Sequence, residues 1–347
     1  MRHKLILPIA CLFLAVMTSR AQTASLPDAP KPAQQAPQPP TQAKPANLST
    51  KQANPEDWTV LPLAKSGLAA SGFNAALLGK YEQPEYTREL LRVQWRPDDP
   101  IDLYVVLPHG VTRPPVILYL YDYHFDTDRF RNDAWCKQAT QGGFAAAGFG
   151  SAFSLQRHHA PRPMREWFVS ELQEALGTST HDVQMVLNYL ASRGDVDVSK
   201  AGIYGQGSGG AIAVLAAEAD PRIAVLDLLN PWGDWPDWLK GSPRVPEEER
   251  ADYLKPEFLQ KVSGLDPVTY MPHLKLKGVR IQQLLDDTET PLAARDKIAA
   301  AAPGPDDVVH YKDITAHRNA WRKDGLTGWI SVQLRSSAEV ITDVTQS

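Results

Sequence analysis

The sequence predicts an α/β fold built on a mostly parallel sheet, and three observations predict it. Short apolar runs alternate with helix-period patterns between residues 87 and 334. One of those runs, Val116–Tyr121 (VILYLY), is apolar almost without interruption, as a strand buried on both faces must be. A later strand, ending at Tyr204, runs through a glycine-rich turn straight into an apolar helix. Alternation of this kind puts helices over parallel strands.

The chain has 347 residues and 29 prolines, and the prolines cluster. Residues 1–21 read as a secretory signal. Arg2 and Lys4 supply the positive start, Leu5–Met17 is apolar but short for a bilayer span, and Ser19-Arg20-Ala21 sets small residues at a cleavage site. A secreted or periplasmic location follows as an expectation. Residues 22–57 read as a Pro/Ala/Gln-rich disordered linker. Eight of residues 22–55 are proline, none is aromatic, and such a composition buries too little apolar surface to offset its ordering entropy. The folded domain is then expected over residues 58–340, with a tail at 341–347.

Within that domain, Thr87–Arg96 and Ile101–Pro108 read as two strands joined by the turn Pro97-Asp98-Asp99-Pro100. Val116–Tyr121, Phe144–Phe153, Ala201–Tyr204, Ile223–Leu229, Val279–Leu285 and Val308–Ile314 follow as strands. Thr180–Arg193 reads as an amphipathic helix, with Val183, Val186, Leu187 and Leu190 on one face. Gly209–Asp220 is apolar nearly all round, as a helix lying centrally on a sheet should be. Ala293–Ala302 and Ala320–Leu334 complete the helices. The alternation is interrupted at 231–272, a lid-like insertion containing Trp232, Trp235 and Trp238.

Composition excludes several classes of function. Hydrophobic residues are 43% and charged residues 22%, which is ordinary globular usage. The net charge of −4 becomes −7 once Arg2, Lys4 and Arg20 leave with the signal, so no basic surplus exists for nucleic acid. No stretch after the signal is long and apolar enough to span a membrane. Setting Cys11 aside with the signal leaves Cys136 alone, which excludes an internal disulfide and a Cys-rich zinc site. Cys136 reads as a core residue. Asp122, Asp126 and Asp128 lack the spacing and the distal glutamate of a calcium loop, so no metal and no cofactor are expected.

The chemistry-bearing segment is Asp197–Ala211, DVSKAGIYGQGSGGA. A sharp turn between strand and helix can lift a serine hydroxyl above a sheet, with the helix N-terminus behind it to stabilise negative charge. This segment, the helix GGAIAVLAA, and the later LLDDTETP and ITAH resemble the α/β-hydrolase superfamily, in its dienelactone-hydrolase, acetyl-esterase and prolyl-oligopeptidase-like branch. The resemblance implies an α/β-hydrolase fold, with a mostly parallel central sheet, flanking helices and the Trp-rich insertion. It implies a serine hydrolase of ester-like bonds, acting on a small-molecule or carbohydrate-ester substrate and, with the signal at residues 1–21, secreted. Ser208 would be the nucleophile, Asp287 (or its neighbour Asp286) the orienting acid and His317 the general base. Asp287 lies 79 residues after Ser208 and His317 a further 30, in the family's chain order. The oxyanion donors would be Gly209 and Tyr123, and Trp232, Trp235 and His124 would contact substrate.

Two departures accompany the resemblance. The family signature is Gly-x-Ser-x-Gly-Gly. Aligned on Ile203-Tyr204-Gly205, the nucleophile position holds Gly207, and Ser208 falls one residue late. A one-residue slip restores Ser208 but sets Gln206 where the turn wants a small side chain. In place of the usual His-Gly-Gly, the oxyanion loop reads Tyr121-Asp122-Tyr123-His124-Phe125. Both registers stay open at this stage. In the first, the chain is a catalytically silent relative that binds a ligand.

Overall fold

The computed structural model describes residues 56–123, 127–154, 157, 171–326 and 328–335. The signal, nearly all of the linker and the tail therefore lie outside the described residues, as does His124.

The strands are β1 (Asn74–Glu82), β2 (Tyr86–Gln94), β3 (Ile101–Pro108), β4 (Pro115–Leu120), β5 (Ala145–Phe149), β6 (Asp197–Gln206), β7 (Ile223–Leu229), β8 (Gly278–Leu284) and β9 (Val308–Tyr311). They form one sheet in the order β1-β2-β3-β5-β4-β6-β7-β8-β9. The pairs β1–β2, β2–β3 and β3–β5 are antiparallel, and every other pair is parallel. The parallel strands therefore end together along one edge, where open α/β sheets gather their binding sites.

Alternation along the strands divides the core between two faces. Leu118, Leu120 and Ile203 enter a cluster that holds the helices Leu172–Arg193 and Ser208–Ala219 and all three insertion tryptophans. Ile117, Tyr119, Tyr121 and Tyr204 point the other way, onto Trp135, Cys136, Ile330 and Leu334. Cys136 is fully buried there, as expected.

Several elements differ from the sequence reading, most of all the following. Strand β1 was not expected; it is solvent-exposed along nearly its whole length, so it lacks the apolar alternation that reveals a strand. The helix ending at Arg193 begins at Leu172, eight residues before the predicted start. The last predicted helix is two, Ile314–Asp324 and Gly328–Arg335, broken at Gly325 with φ +81°. Its early start follows from Asp313, whose carboxylate accepts a 2.8 Å hydrogen bond from Ala316 N as an N-cap.

The folded part begins no later than Glu56. Its carboxylate takes two hydrogen bonds from Arg96, at 2.5 and 2.7 Å, and lies 2.6 Å from His181 Nδ1. Arg96 also contacts Asp182, which with Asp99 holds the buried Arg157 at 2.6 and 2.5 Å. Every charge in this cluster thus meets an opposite one, the condition under which burial of charge is tolerated.

Candidate functional site

The turn after β6 decides the register. Gly207 stands at its tip with φ +54° and ψ −119°, a conformation that side-chain-bearing residues seldom adopt. Its N–H bonds Leu229 O and its carbonyl accepts from Gly210 and Trp232, which fixes the tip against the ends of β7 and the insertion. Close packing shapes the rest of the turn. A Cβ on Gly210 would sit 2.7 Å from Pro231, and one on Gly205 would sit 2.8 Å from Gly210.

Ser208 follows the tip of the turn. It is the first residue of the helix and fully buried, with no surface for a substrate to reach. Its hydroxyl donates to Asp122 Oδ1 at 3.0 Å and accepts from Tyr123 N at 3.1 Å.

Asp122 occupies the space in front of the glycine. A Cβ built on Gly207 would lie 2.8 Å from Asp122 Oδ1 and 2.9 Å from its Cγ. The same oxygen is 3.1 Å from Tyr123 N and 3.4 Å from Ser208 N. With Gly207 at the tip, Ser208 N is the donor from the residue following the elbow, and Tyr123 N is the donor from the loop after β4. Gly209 lies one residue further along the helix. Tyr123 N reaches both Asp122 Oδ1 and the Ser208 hydroxyl at 3.1 Å. The two amides that would hold a substrate oxyanion both face the protein's own carboxylate.

The electrostatics of that carboxylate follow from its place. Burial pushes Asp122 up to about 6; Arg244 opposes the shift, Glu289 adds to it, and the bonds from Ser208 oppose it. Arg244 comes from the insertion. It lies 2.6 Å from Glu289 and 3.4 Å from Asp122 Oδ2, and it donates to Tyr123 Oη at 3.0 Å.

Asp122, Arg244 and Glu289 line a cleft of about 350 Å³ at the carboxyl ends of β6, β7 and β8, bordered by Gln206, Gly207, Asn230 and Trp232 and by the loop 286–290. Asn230 holds the floor by accepting from Leu284 N at 2.8 Å. Asp286 and Asp287 both line the cleft. Asp287 accepts from the backbone N–H groups of Glu289 (3.0 Å) and Thr290 (3.2 Å) and so shapes its own loop. Burial raises its pKa, and those backbone bonds and a side-chain hydrogen bond from Thr290 pull it back.

His317 lies elsewhere. The Asp313 cap draws it into the first turn of the helix Ile314–Asp324, where its N–H bonds Asp313 O. Its ring packs edge-on to Tyr311 (5.1 Å) and beside Trp321 (4.9 Å), and Trp321 in turn meets Tyr204 on the aromatic face of the sheet. It is 2% exposed, and neither ring nitrogen has a hydrogen-bond partner. Burial lowers its pKa to about 4, with Arg280, Arg318 and Arg129 adding to the shift. No hydrogen bond joins it to Asp287 or Ser208 among the described residues, so the three expected triad residues do not form a relay.

The tryptophans divide. Trp232 borders the cleft but is 1% exposed, so it offers an edge and no stacking platform. Trp235 is buried and does not border the cleft, with Nε1 donating to Leu265 O at 3.0 Å. Asp122, Arg244 and Glu289 are among the cleft residues that the sequence reading passed over as site residues. A signal existed for Asp122 alone: it directly follows the strand whose end carries an oxyanion donor.

No family model matches the sequence, and no curated protein matches it either. Solved structures do match by shape. An acetyl xylan esterase from Paenibacillus sp. R4 aligns with a TM-score of 0.54 at 19% identity, over 72% of this chain and 87% of that one. Acetyl xylan esterase 1 from Thermoanaerobacterium sp. JW/SL YS485 aligns with a TM-score of 0.56 at 14% identity, over 74% and 86%. With the sheet order and the strand–elbow–helix geometry, these similarities define the α/β-hydrolase fold. Within that fold, this chain is one whose elbow carries a glycine faced by an aspartate.

Proposed function

We propose that this protein is a silent relative of ester hydrolases, in which the catalytic cleft is retained as a binding site for a small polar ligand. The observation that carries the reading is the carboxylate of Asp122. It takes up the space of the missing nucleophile and both oxyanion donors at once. An acetyl-xylan-esterase-like deacetylation would need a hydroxyl at position 207, a free oxyanion hole and a histidine in reach. The first two are lost to Gly207 and Asp122, and His317 is packed on the opposite face of the sheet from the elbow helix. The Ser208 hydroxyl supports the same reading, because it is spent between Asp122 and Tyr123 N.

A secreted or periplasmic place of action belongs to this proposal, on the strength of residues 1–21 alone. The test is turnover of p-nitrophenyl acetate by folded, purified protein. The rate should equal that of Ser208→Ala. A rate that drops at least about a hundredfold in Ser208→Ala would overturn the proposal, since loss of a working nucleophile has effects of that size or more.

A further inference from the structure

Among the described residues of the helix Ile314–Asp324, one side chain is buried, and it is an ionisable one. His317 is 2% exposed, whereas Ala316, Ala320 and Trp321 are half-buried and the others face solvent. Eleven residues are too few to hold a helix without packing, so the seat of the imidazole carries the element. That seat is apolar. The ring lies against Tyr311 (5.1 Å) and Trp321 (4.9 Å), and neither nitrogen has a hydrogen-bond partner. A protonated ring would bring a charge and two N–H donors into the same place. The charged groups around it are cationic. β8 contributes Arg280, and the turn after β4 contributes Arg129. The helix itself contributes Arg318, and all three act on the ring. The adjoining helix Gly328–Arg335 brings only Arg335, which is bonded to Gly142 O. β9 contributes Tyr311, while His310 points to the other face by strand alternation. β6 contributes Tyr204, against Trp321 (5.3 Å). Two carboxylates are near, and both are engaged. Asp227 of β7 holds Arg280 at 2.8 and 2.6 Å and accepts from Gln282, and Asp313 caps Ala316 N.

We infer that the helix Ile314–Asp324 is an acid-released latch: protonation of His317 frees it from the sheet and bares the aromatic face beneath. In the closed state the proton is opposed by burial first and by the three arginines second. In the open state the imidazole stands in water and takes the proton readily. Each proton gained therefore favours the open form. The helix can open by itself. Gly325, at φ +81°, ends it with a residue free to take other backbone angles. The neighbouring part of the aromatic face has its own cover, since Tyr119 and Tyr121 pack edge-on to Trp135. The latch also adjoins the cleft. Tyr311 O accepts from Leu285 N, the residue before the cleft's Asp286.

Hydrogen exchange of the full chain tests this, read by peptide mass spectrometry and corrected for the intrinsic rate at each pH. Exchange over residues 314–324 should speed up about twentyfold between pH 7 and pH 5. Below pH 6 the slope should approach about tenfold per pH unit, that of a single proton. Strand β6, at the centre of the sheet, should stay protected, and a return to pH 7 should restore the helix. His317→Phe fills the same seat with a ring that does not titrate, so exchange over 314–324 should then be equal at both pH values. An unchanged helix in the wild type, an equal loss of protection in β6, or an undiminished response in His317→Phe would overturn the latch. The wild-type slope decides without the variant, because a dependence on two or more protons would overturn it as well.

Discussion

At Gly207 a left-handed backbone and a blocked Cβ direction coincide, and this gives the elbow its chemistry. A serine there must both hold φ near +54° and displace Asp122. Gly207→Ser is therefore expected to destabilise the fold by about 1–3 kcal/mol and to yield no esterase. Denaturant unfolding and an ester assay check this. Adding Asp122→Ala should recover part of the stability by removing the collision. A stable, active single variant would show that Asp122 yields freely. His317 is a second residue whose environment sets its behaviour. Its folded-state pKa, about 4, lies below the ordinary 6.5, so the unfolded chain takes up the proton first. The stability it contributes is complete above pH 6.5 and is lost as pH falls towards 4, by roughly 2–3 kcal/mol. Asp122 acts in the opposite sense, with a folded value of about 6 above the ordinary 3.8, so its contribution is lost as pH rises through 6. His317→Phe leaves Asp122 in place and suits the Tyr311–Trp321 pocket. Its melting temperature should fall less than the wild type's between pH 7 and pH 4.5. An identical fall would contradict the buried, neutral histidine.

Among the elements, the helix Leu172–Arg193 ties the start of the domain to the sheet. Asp182 is fully buried there and bonds Trp95, Arg96 and Arg157. Gln184 donates to Leu61 O and accepts from Leu63 N, which docks the chain before β1. Asp182→Ala leaves two guanidinium groups short of a buried partner. It should cost about 3–5 kcal/mol in urea unfolding, whereas breaking an exposed pair such as Lys255–Asp252 should leave the unfolding midpoint nearly unchanged. Element boundaries were legible where a single rule governed them. Strands β3 and β7 have the predicted limits because each is an apolar run closed by turn residues. The region after β9 was misread because the strand was extended through Asp313. Read as an N-cap, Asp313 moves the helix start to Ile314 and removes His317 from the loop where a general base would sit.

For the whole molecule, the α/β-hydrolase fold was legible in the alternation of elements and in the glycine-rich turn, since both are local patterns. The site was legible only in part. Gly207 at the tip follows from the alignment on Ile203-Tyr204-Gly205, one of the two registers open in the sequence. The partner that makes the glycine consequential, Asp122, lies 85 residues away, and the arginine that faces it comes from the insertion. Convergence of that kind depends on strand order, which pairs β4 with β6, and no spacing rule supplies it. The triad residues show the converse: Ser208, Asp287 and His317 keep the family's chain order, yet they form no hydrogen-bonded relay. The most direct measurement is covalent labelling of folded protein with a fluorophosphonate, followed by peptide mass spectrometry. A glycine elbow with a filled oxyanion hole should leave Ser208 unmodified under conditions that label an active serine esterase to completion. A stoichiometric adduct on Ser208 would contradict the silent cleft.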